Sequence, residues 1–245
     1  MEKDNFIKSL KIFFNPIILL FNKMVAHIHF LDPRDNTKQR IISALVLLPI
    51  ALMAIFYSKD LFLFLAISVA ILMTSEWLDM SKEMNDQKKW RLIGFFYIAI
   101  PVYSVIKLRN YNVEILFWMF AVIWSTDIFA FFAGKTLGGA KIAPTISPNK
   151  TWSGLIGGIL ASMIIGFLSS FMFAGGTLFF ILLSALLSII EQLSDLLESK
   201  FKRIFGVKDS GNIIPGHGGI LDRLDGMMLL SPVVLLIITI FPARF

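Results

Sequence analysis

The chain has 245 residues, of which 56% are hydrophobic and 16% charged, and its mean hydropathy is +0.75. This composition excludes an ordinary water-soluble globular domain and indicates a protein whose solvent is the lipid bilayer. The sequence contains no cysteine, which excludes disulfides, thiolate metal sites and cysteine nucleophiles, and its three histidines are too scattered to predict a zinc cluster. Any bound metal is therefore expected to be a hard cation with oxygen ligands.

Residues 1–40 form an N-terminal segment that does not resemble a secretory signal peptide. An apolar stretch at 10–31 is broken by Asn15, Pro16 and Lys23. We expect it to form an interfacial or half-buried helix, with an additional spanning helix as the alternative. The prediction is a cytoplasmic or interfacial segment over 1–40, followed by a single transmembrane domain over 41–245.

Apolar runs long enough to cross a bilayer follow one another along the rest of the chain. They lie at 41–57, 61–78, 92–106, 113–133, 153–173, 177–195 and 226–243. The predicted fold is therefore all-α, a polytopic membrane bundle of about seven transmembrane helices. The connections near 58–60 and 174–176 are so short that the helices they join should be antiparallel neighbours.

The distribution of Lys and Arg predicts the orientation. With the N-terminus in the cytoplasm, 19 of the 23 basic residues fall on the inner side, as the positive-inside rule requires. We therefore expect a multi-pass protein of the inner cell membrane, with its two longest polar loops facing the cytoplasm. The net charge of +6 is explained by this orientation signal, with attraction to anionic lipid head groups as the alternative. Basic residues confined to short loops argue against nucleic-acid binding.

Ionisable residues inside apolar spans usually face a cavity or a functional site. Four such residues occur here, Glu76, Asp127, Glu191 and Asp195. The sixth run carries polar residues at intervals of three or four, which places them on one helical face: Ser184, Ser188, Glu191, Asp195, Ser199 and Lys202. Interhelical hydrogen bonding is the alternative, but two acids followed by a basic cluster favour function. Asp127 is expected either to support this site or to hold two helices together.

The loop at 200–225 combines cations with glycines, a composition typical of a polyanion site. Asp222 and Asp225 share a face of the helix that opens the last span. Together with Asp195 from another span, they predict a divalent cation site, and Mg²⁺ is the cation expected beside phosphates.

A second loop at 134–152 places glycines, lysines and hydroxyls before a helix N-terminus, which predicts an anion cradle formed by Lys141, Ser147, Lys150 and Thr151. An ordinary membrane-surface loop is the alternative, and the residue order excludes a Walker loop. Small residues then recur every four positions at Gly154, Gly158, Ser162 and Gly166. This seam predicts close helix packing within the chain, with a homodimer face as the alternative.

These residues together resemble the phosphatidate cytidylyltransferase (CDP-diacylglycerol synthase) family. The resemblance rests on Ser199, Lys202-Arg203, Lys208-Asp209, Pro215, His217-Gly218-Gly219 and Asp222-Arg223-Leu224-Asp225. It extends upstream to Asp127–Gly134, to Lys141–Gly158 and to Glu76-Trp77. Ser194 departs from the glycine that commonly precedes the acid at position 195 in the family.

The resemblance implies a nucleotidyltransferase of phospholipid biosynthesis that joins CTP to phosphatidic acid and releases pyrophosphate. It implies Mg²⁺ at Asp195 and Asp222, with a monovalent cation such as K⁺ beside it. The expected catalytic residues are Asp195, Asp222, Asp225, Lys202, Arg203 and His217. The expected substrate-binding residues are Lys141, Ser147, Lys150, Thr151, Ser199, Lys208, Asp209, Gly218, Gly219 and Arg223. For His217, pinning the loop by hydrogen bonds is an equal alternative to catalysis.

Two other functions are considered. A related CTP-dependent lipid or polyprenol kinase or a prenyltransferase could share such a site, although the second Asp-rich motif of a prenyltransferase is not found in the sequence. An anion transporter would also place charges inside spans, but its two matching halves with broken helices are not evident. For the cytidylyltransferase reaction that the resemblance implies, the hypothesis is in-line attack of the lipid phosphate on the α-phosphorus of CTP.

Overall fold

The computed structural model describes residues 49, 52–53, 55–213 and 218–245. Within these ranges the chain forms α1 (Lys59–Ser81), α2 (Gln87–Tyr111), α3 (Val113–Leu137), β1 (Lys141–Ala143), β2 (Ser147–Thr151), α4 (Trp152–Ser169), α5 (Thr177–Ile204), α6 (Leu221–Ile240) and a short 3₁₀ helix (Pro242–Arg244). The six α-helices are long and apolar enough to cross a membrane, which confirms the predicted all-α polytopic bundle. The segment 1–40, with its stretch at 10–31, and most of the run at 41–57 lie outside the described residues.

Polar side chains at the helix starts fix where the helices begin. Ser58, Asp86, Asn112 and Thr151 each accept a hydrogen bond from a backbone N–H in the first turn of α1, α2, α3 and α4 respectively. At the other end, α5 continues to Ile204, well beyond the apolar run that ends at 195. Hydropathy marks only the lipid-facing length of a helix, so the apolar run ends at 195, whereas the helical spacing of Ser199 and Lys202 predicted that the helix continues.

Successive helices run antiparallel, so the connections fall at two ends of the bundle. The connections 82–86, 138–151 and 205–220 lie at one end, which we call the polar end. Arg203 Nε donates to the Ile146 carbonyl at 3.3 Å and joins two of these connections directly. At the opposite end Arg244 donates to the Gly175 carbonyl at 3.2 Å. The two loops singled out in the sequence therefore emerge side by side.

The loop at 134–152 contains a β-hairpin that the sequence did not predict. Strands β1 and β2 are antiparallel, pairing Lys141 with Thr151 and Ala143 with Ser147 around an irregularity in register. Gly138 and Gly139 precede it with φ values of 62° and 107°, a region that favours glycine and lets the chain reverse after α3. These strands are short and lie among prolines and glycines, residues that disfavour strand prediction. Their pairing gives the second loop a defined shape.

The small-residue seam on α4 packs within the chain, as predicted. A Cβ atom added at Gly154 would lie 2.8 Å from the Ala130 carbonyl oxygen of α3, and one added at Gly158 would lie 3.0 Å from Thr126 Cγ2. Gly166 faces Phe180 and Ser184 of α5 in the same way. The glycines therefore let α4 approach both α3 and α5 closely. The homodimer face stays an untested prediction.

An aromatic cluster at the polar end fixes α1, α2 and α5 to one another. The rings of Trp77 and Phe201 lie 5.1 Å apart, and Trp77 also contacts Phe205 at 5.3 Å and Tyr97 at 5.4 Å. Trp77 donates its ring N–H to the Trp90 carbonyl at 2.8 Å. These contacts hold the last turns of α5, which carry the charged residues of the site, in a fixed position.

Candidate functional site

The polar stripe of α5 faces the protein interior and divides into two parts. Ser184 and Ser188 are fully buried and bond to α3, accepting from Trp118 Nε1 at 3.2 Å and from Thr126 Oγ1 at 3.0 Å. This deeper part joins helices, as the alternative interpretation of the stripe proposed. From Glu191 onward the stripe becomes ionic and lies near the polar end, where a functional site was predicted.

Lys150 of the hairpin forms the first charged centre with Asp195. Its ammonium nitrogen lies 2.6 Å from Asp195 Oδ2 and donates to Gln192 Oε1 at 2.8 Å. Gln192 in turn donates to Glu191 Oε2 at 3.0 Å, and Ser199 donates to Asp195 Oδ1 at 3.3 Å. Gln192 was not predicted as a site residue, although its position three residues before Asp195 places it on the same helical face.

A cavity of about 270 Å³ lies beside the Lys150 centre. It is lined by polar residues and by apolar residues or glycine: Asp127, Ser147, Asn149, Lys150, Thr151, Gln192 and Asp195 in the first group, and Ala130, Phe131, Gly154 and Leu155 in the second. A mixed polar and apolar lining suits an amphiphilic ligand whose polar group reaches the lysine and the acids. Asp127, whose role the sequence left open, lines this cavity.

Lys202 forms the second charged centre, between two acids. Its ammonium nitrogen lies 2.6 Å from Asp222 Oδ1 and 3.2 Å from Glu198 Oε1. The side chains of Lys202, Asp222 and Glu198 are only 11%, 6% and 2% exposed. Removing one partner of such a buried arrangement leaves an uncompensated charge, so all three residues are mutually dependent. Glu198 was not predicted, although it continues the acidic face of α5 one turn beyond Asp195.

The second carboxylate oxygen of Asp222 holds the segment 205–220 in place. It accepts from the Ser210 backbone N–H at 2.8 Å, the Ser210 hydroxyl at 2.9 Å and the Gly219 backbone N–H at 2.9 Å. Gly218 has a φ of 83°, and an added Cβ there would lie 2.8 Å from the same oxygen. The two glycines predicted to contact substrate therefore let the backbone turn tightly around Asp222.

Glu76 of α1 contacts the same segment from the other side. One of its oxygens accepts from the Ile220 N–H at 2.8 Å, and the other accepts from the Leu221 N–H at 2.9 Å and the Ser210 hydroxyl at 3.1 Å. Glu76 is 3% exposed. The sequence identified it as a costly acid within a span but did not place it in the site. It supplies the start of α6 with the cap that no neighbouring side chain provides.

Asp225 lies between the two centres. It interacts electrostatically with Asp127, Asp195 and Glu198, and its Oδ1 accepts from the Gly226 N–H at 2.9 Å. Ser194, the departure from the family pattern, donates its hydroxyl to the Asp225 carbonyl and accepts from the Leu229 N–H at 3.0 Å. The serine therefore binds α5 to α6 beside the acids.

The remaining predicted residues lie around these centres. Thr151 caps α4 and is buried, whereas Lys141, Lys208, Asp209 and Arg223 are exposed at the polar end. Arg203 links the hairpin to the segment 205–220 through its bonds to the carbonyls of Ile146 and Val207. Pro215 and His217 lie outside the described residues.

The donor set of the site fits a hard cation, although the protein alone does not arrange a metal cluster. Among the described residues, no group of three or more His, Asp or Glu side chains is placed to hold an ion together. Magnesium, however, needs only one or two protein carboxylates, and takes its other ligands from water and phosphate. Both oxygens of Asp195 and both oxygens of Asp222 have protein partners, but Asp195 is 24% exposed and borders the cavity whereas Asp222 is 6% exposed, so Asp195 is better suited to this role.

Comparison with known proteins gives concordant results. The sequence profile described as "Cytidylyltransferase family" matches residues 38–105 and 88–241. The phosphatidate cytidylyltransferase of Rickettsia bellii is 42% identical over 229 residues, covering 89% of this chain and 98% of that protein. That of Rickettsia felis is 40% identical over 219 residues (85% and 95%), and that of Brucella abortus is 43% identical over 182 residues (73% and 65%). The chain therefore belongs to the cytidylyltransferase family.

Proposed function

We propose that this protein is a phosphatidate cytidylyltransferase, which forms CDP-diacylglycerol and pyrophosphate from CTP and phosphatidic acid. The observation that carries the proposal is the lysine–carboxylate centre of Lys150 and Asp195 in the lining of a cavity, with a second such centre at Lys202 and Asp222, at one end of a membrane bundle. Two proteins of that name are 42% and 40% identical to this chain over 89% and 85% of its length.

The two substrates differ in where they can approach the site. Phosphatidic acid keeps its acyl chains in the bilayer, so its phosphate can enter the cavity past the apolar residues Phe131 and Leu155. CTP arrives from water, where the exposed cations Lys141 and Lys208 lie at the polar end. Lysines from both loops are expected around the triphosphate because its four negative charges exceed what one Mg²⁺ can neutralise.

The reaction requires two polyanions to approach each other. A phosphate oxygen of phosphatidic acid attacks the α-phosphorus of CTP, the bond between the α-phosphorus and its bridging oxygen to the β-phosphate breaks, and pyrophosphate leaves. Lys150 and Lys202 orient phosphate oxygens and stabilise the charge that develops on pyrophosphate. Mg²⁺ held by Asp195 and Asp222 would supply further neutralisation of phosphate charge.

Carboxylates outnumber lysines where the charged centres meet. Lys150 and Lys202 are surrounded by six acids: Asp127, Glu191, Asp195, Glu198, Asp222 and Asp225. This excess of carboxylate groups over lysines supports a bound divalent cation, with a monovalent cation such as K⁺ as a second candidate. The transporter alternative has less support, since α2 and α6 continue through Pro101 and Pro232 as unbroken helices.

The function itself is tested by following each phosphate of CTP. Protein purified in detergent, supplied with phosphatidic acid, Mg²⁺ and CTP labelled at the α-phosphate, should yield labelled CDP-diacylglycerol on lipid chromatography. Label at the γ-phosphate should appear only in pyrophosphate. Transfer of γ-label to lipid would instead identify a CTP-dependent kinase, and no lipid label from either position would contradict both activities.

The metal assignment is tested by Asp195→Asn and Asp222→Asn. Each should lower kcat roughly a hundredfold or more, the usual cost of losing a preorganised electrostatic partner of the reacting group. Asp60→Asn, at the exposed opposite end of α1, is the matched control and should retain full turnover. If either site variant keeps most of its rate at saturating Mg²⁺ while remaining folded, that acid is not a metal ligand.

The role of the loop lysines is tested by Lys150→Ala and Lys208→Ala. Loss of a charge-assisted hydrogen bond to phosphate should lower kcat/KM for CTP about tenfold or more in each case. The effect on phosphatidic acid should be smaller because the acyl chains also anchor that lipid. Lys82→Ala, on another connection of the polar end, serves as the control. A defect confined to phosphatidic acid would assign these loops to the other substrate.

The charge distribution supports an orientation in which the polar end of the bundle lies on the cytoplasmic side of the inner membrane. Single cysteines at Asn85 and Asn212, introduced into the cysteine-free chain, should resist an impermeant thiol reagent in intact cells. A cysteine at Ala174, at the opposite end, should react. The reverse pattern of labelling would overturn the topology.

A further inference from the structure

We infer that Glu76 is a positioning residue for the reaction, because it fixes Asp222 and the segment 205–220 through the shared Ser210 hydroxyl. The inference rests on the proposed function, since Asp222 and Lys202 are assigned to the reaction there. Glu76 belongs to a helix that contributes no residue to the cavity wall. Its three hydrogen bonds reach residues 134 to 145 positions away in sequence.

Ser210 connects the two carboxylates. Its hydroxyl oxygen lies 3.1 Å from Glu76 Oε2 and 2.9 Å from Asp222 Oδ2. A hydroxyl has one proton, so it can donate to only one of these acids at a time. The Ser210 backbone N–H donates to Asp222 at 2.8 Å and keeps that contact in either case. The position of Asp222 therefore depends on where Glu76 holds the serine.

The backbone around Glu76 leaves its carboxylate little freedom. An added Cβ at Gly211 would lie 2.9 Å from Glu76 Oε1, and one at Gly219 would lie 2.6 Å from Oε2. Such distances are too short for ordinary packing, so glycine at both positions is what lets the segment enclose the carboxylate. The glycines and the acid thus form one unit, in which a shift of the acid requires a shift of the segment.

The neighbouring Trp77 ties this unit to the helix that carries Lys202. Trp77 packs on Phe201 of α5 and on Phe205 just beyond the end of that helix, which lie on either side of Lys202 in sequence. Glu76-Trp77 therefore contacts both elements that must meet for the ion pair between Lys202 and Asp222 to form. A purely structural cap on α6 would need only the bonds to Ile220 and Leu221, and would not involve Ser210.

Kinetics of Glu76→Gln separate positioning from stability. Glutamine keeps the size but loses one acceptor, so kcat should fall roughly 10- to 100-fold, the usual cost of losing an outer partner of a ligating residue, with little change in KM for phosphatidic acid. Glu76→Asp, which keeps the charge, should recover part of the rate. Ser81→Ala, which removes a buried hydroxyl bonded only within α1, is the control and should leave kcat unchanged.

A double-mutant cycle tests the route through Ser210. If Glu76 acts on Asp222 through this hydroxyl, Glu76→Gln should cost markedly less in a Ser210→Ala background than in the unmodified protein. Full additivity of the two costs, or an unchanged kcat in a folded Glu76→Gln protein, would overturn the inference.

A labelling experiment decides the anchoring without relying on turnover. Cysteine placed at the partly buried Ile220 should react with a water-soluble maleimide several-fold faster when Glu76→Gln is also present, because the segment is released. The Ser81→Ala background should not accelerate it. Equal labelling rates in all backgrounds would contradict the anchoring of the segment by Glu76. If the protein proved to have another activity, the faster labelling with Glu76→Gln should still be observed, so failure of the proposed function can be distinguished from failure of the inference.

Discussion

The site depends on the ion pair between Lys202 and Asp222, because both charges lie out of water near the end of a membrane bundle. Ions in such surroundings are stable only when well paired and fully hydrogen-bonded. Lys202 is paired with Asp222 and Glu198, and Asp222 also accepts hydrogen bonds from Ser210 and Gly219. The pair joins the last turns of α5 to the first turn of α6, and the described parts of the connection between these helices, 205–213 and 218–220, contact it through Ser210 and Gly219.

The other parts of the polar end follow from this junction. Aromatic packing around Trp77 keeps α5 in place, and Glu76 holds the start of α6. Lys150 enters from the hairpin to balance Asp195, while the glycine seam of α4 lets that helix lie close to α3. The result is a rigid polar site supported by helices whose outward faces are apolar, as contact with both a nucleotide and a lipid requires.

Local sequence patterns predicted much of this arrangement. Hydropathy located the six described spans, and helical spacing placed Glu191, Asp195 and Lys202 on one inward face. The patterns could not reveal which acid pairs with which lysine, because Lys150 and Asp195 meet only through the packing of separate elements. The same limit explains why Glu76 was noticed as a costly buried acid but its contact with Ser210 was not foreseen. Gln192 and Glu198 could have been predicted as site residues from the same helical spacing.

The most direct test of the account is a structure of the protein in lipid nanodiscs with Mg²⁺ and a CTP analogue that cannot be cleaved between its α- and β-phosphates. The account predicts the triphosphate between the hairpin and the segment 205–220, with Lys150 in contact with a phosphate and Asp195 on the metal. The helices should remain where they are. A nucleotide bound away from the cavity beside Lys150, or at the opposite end of the bundle, would contradict it.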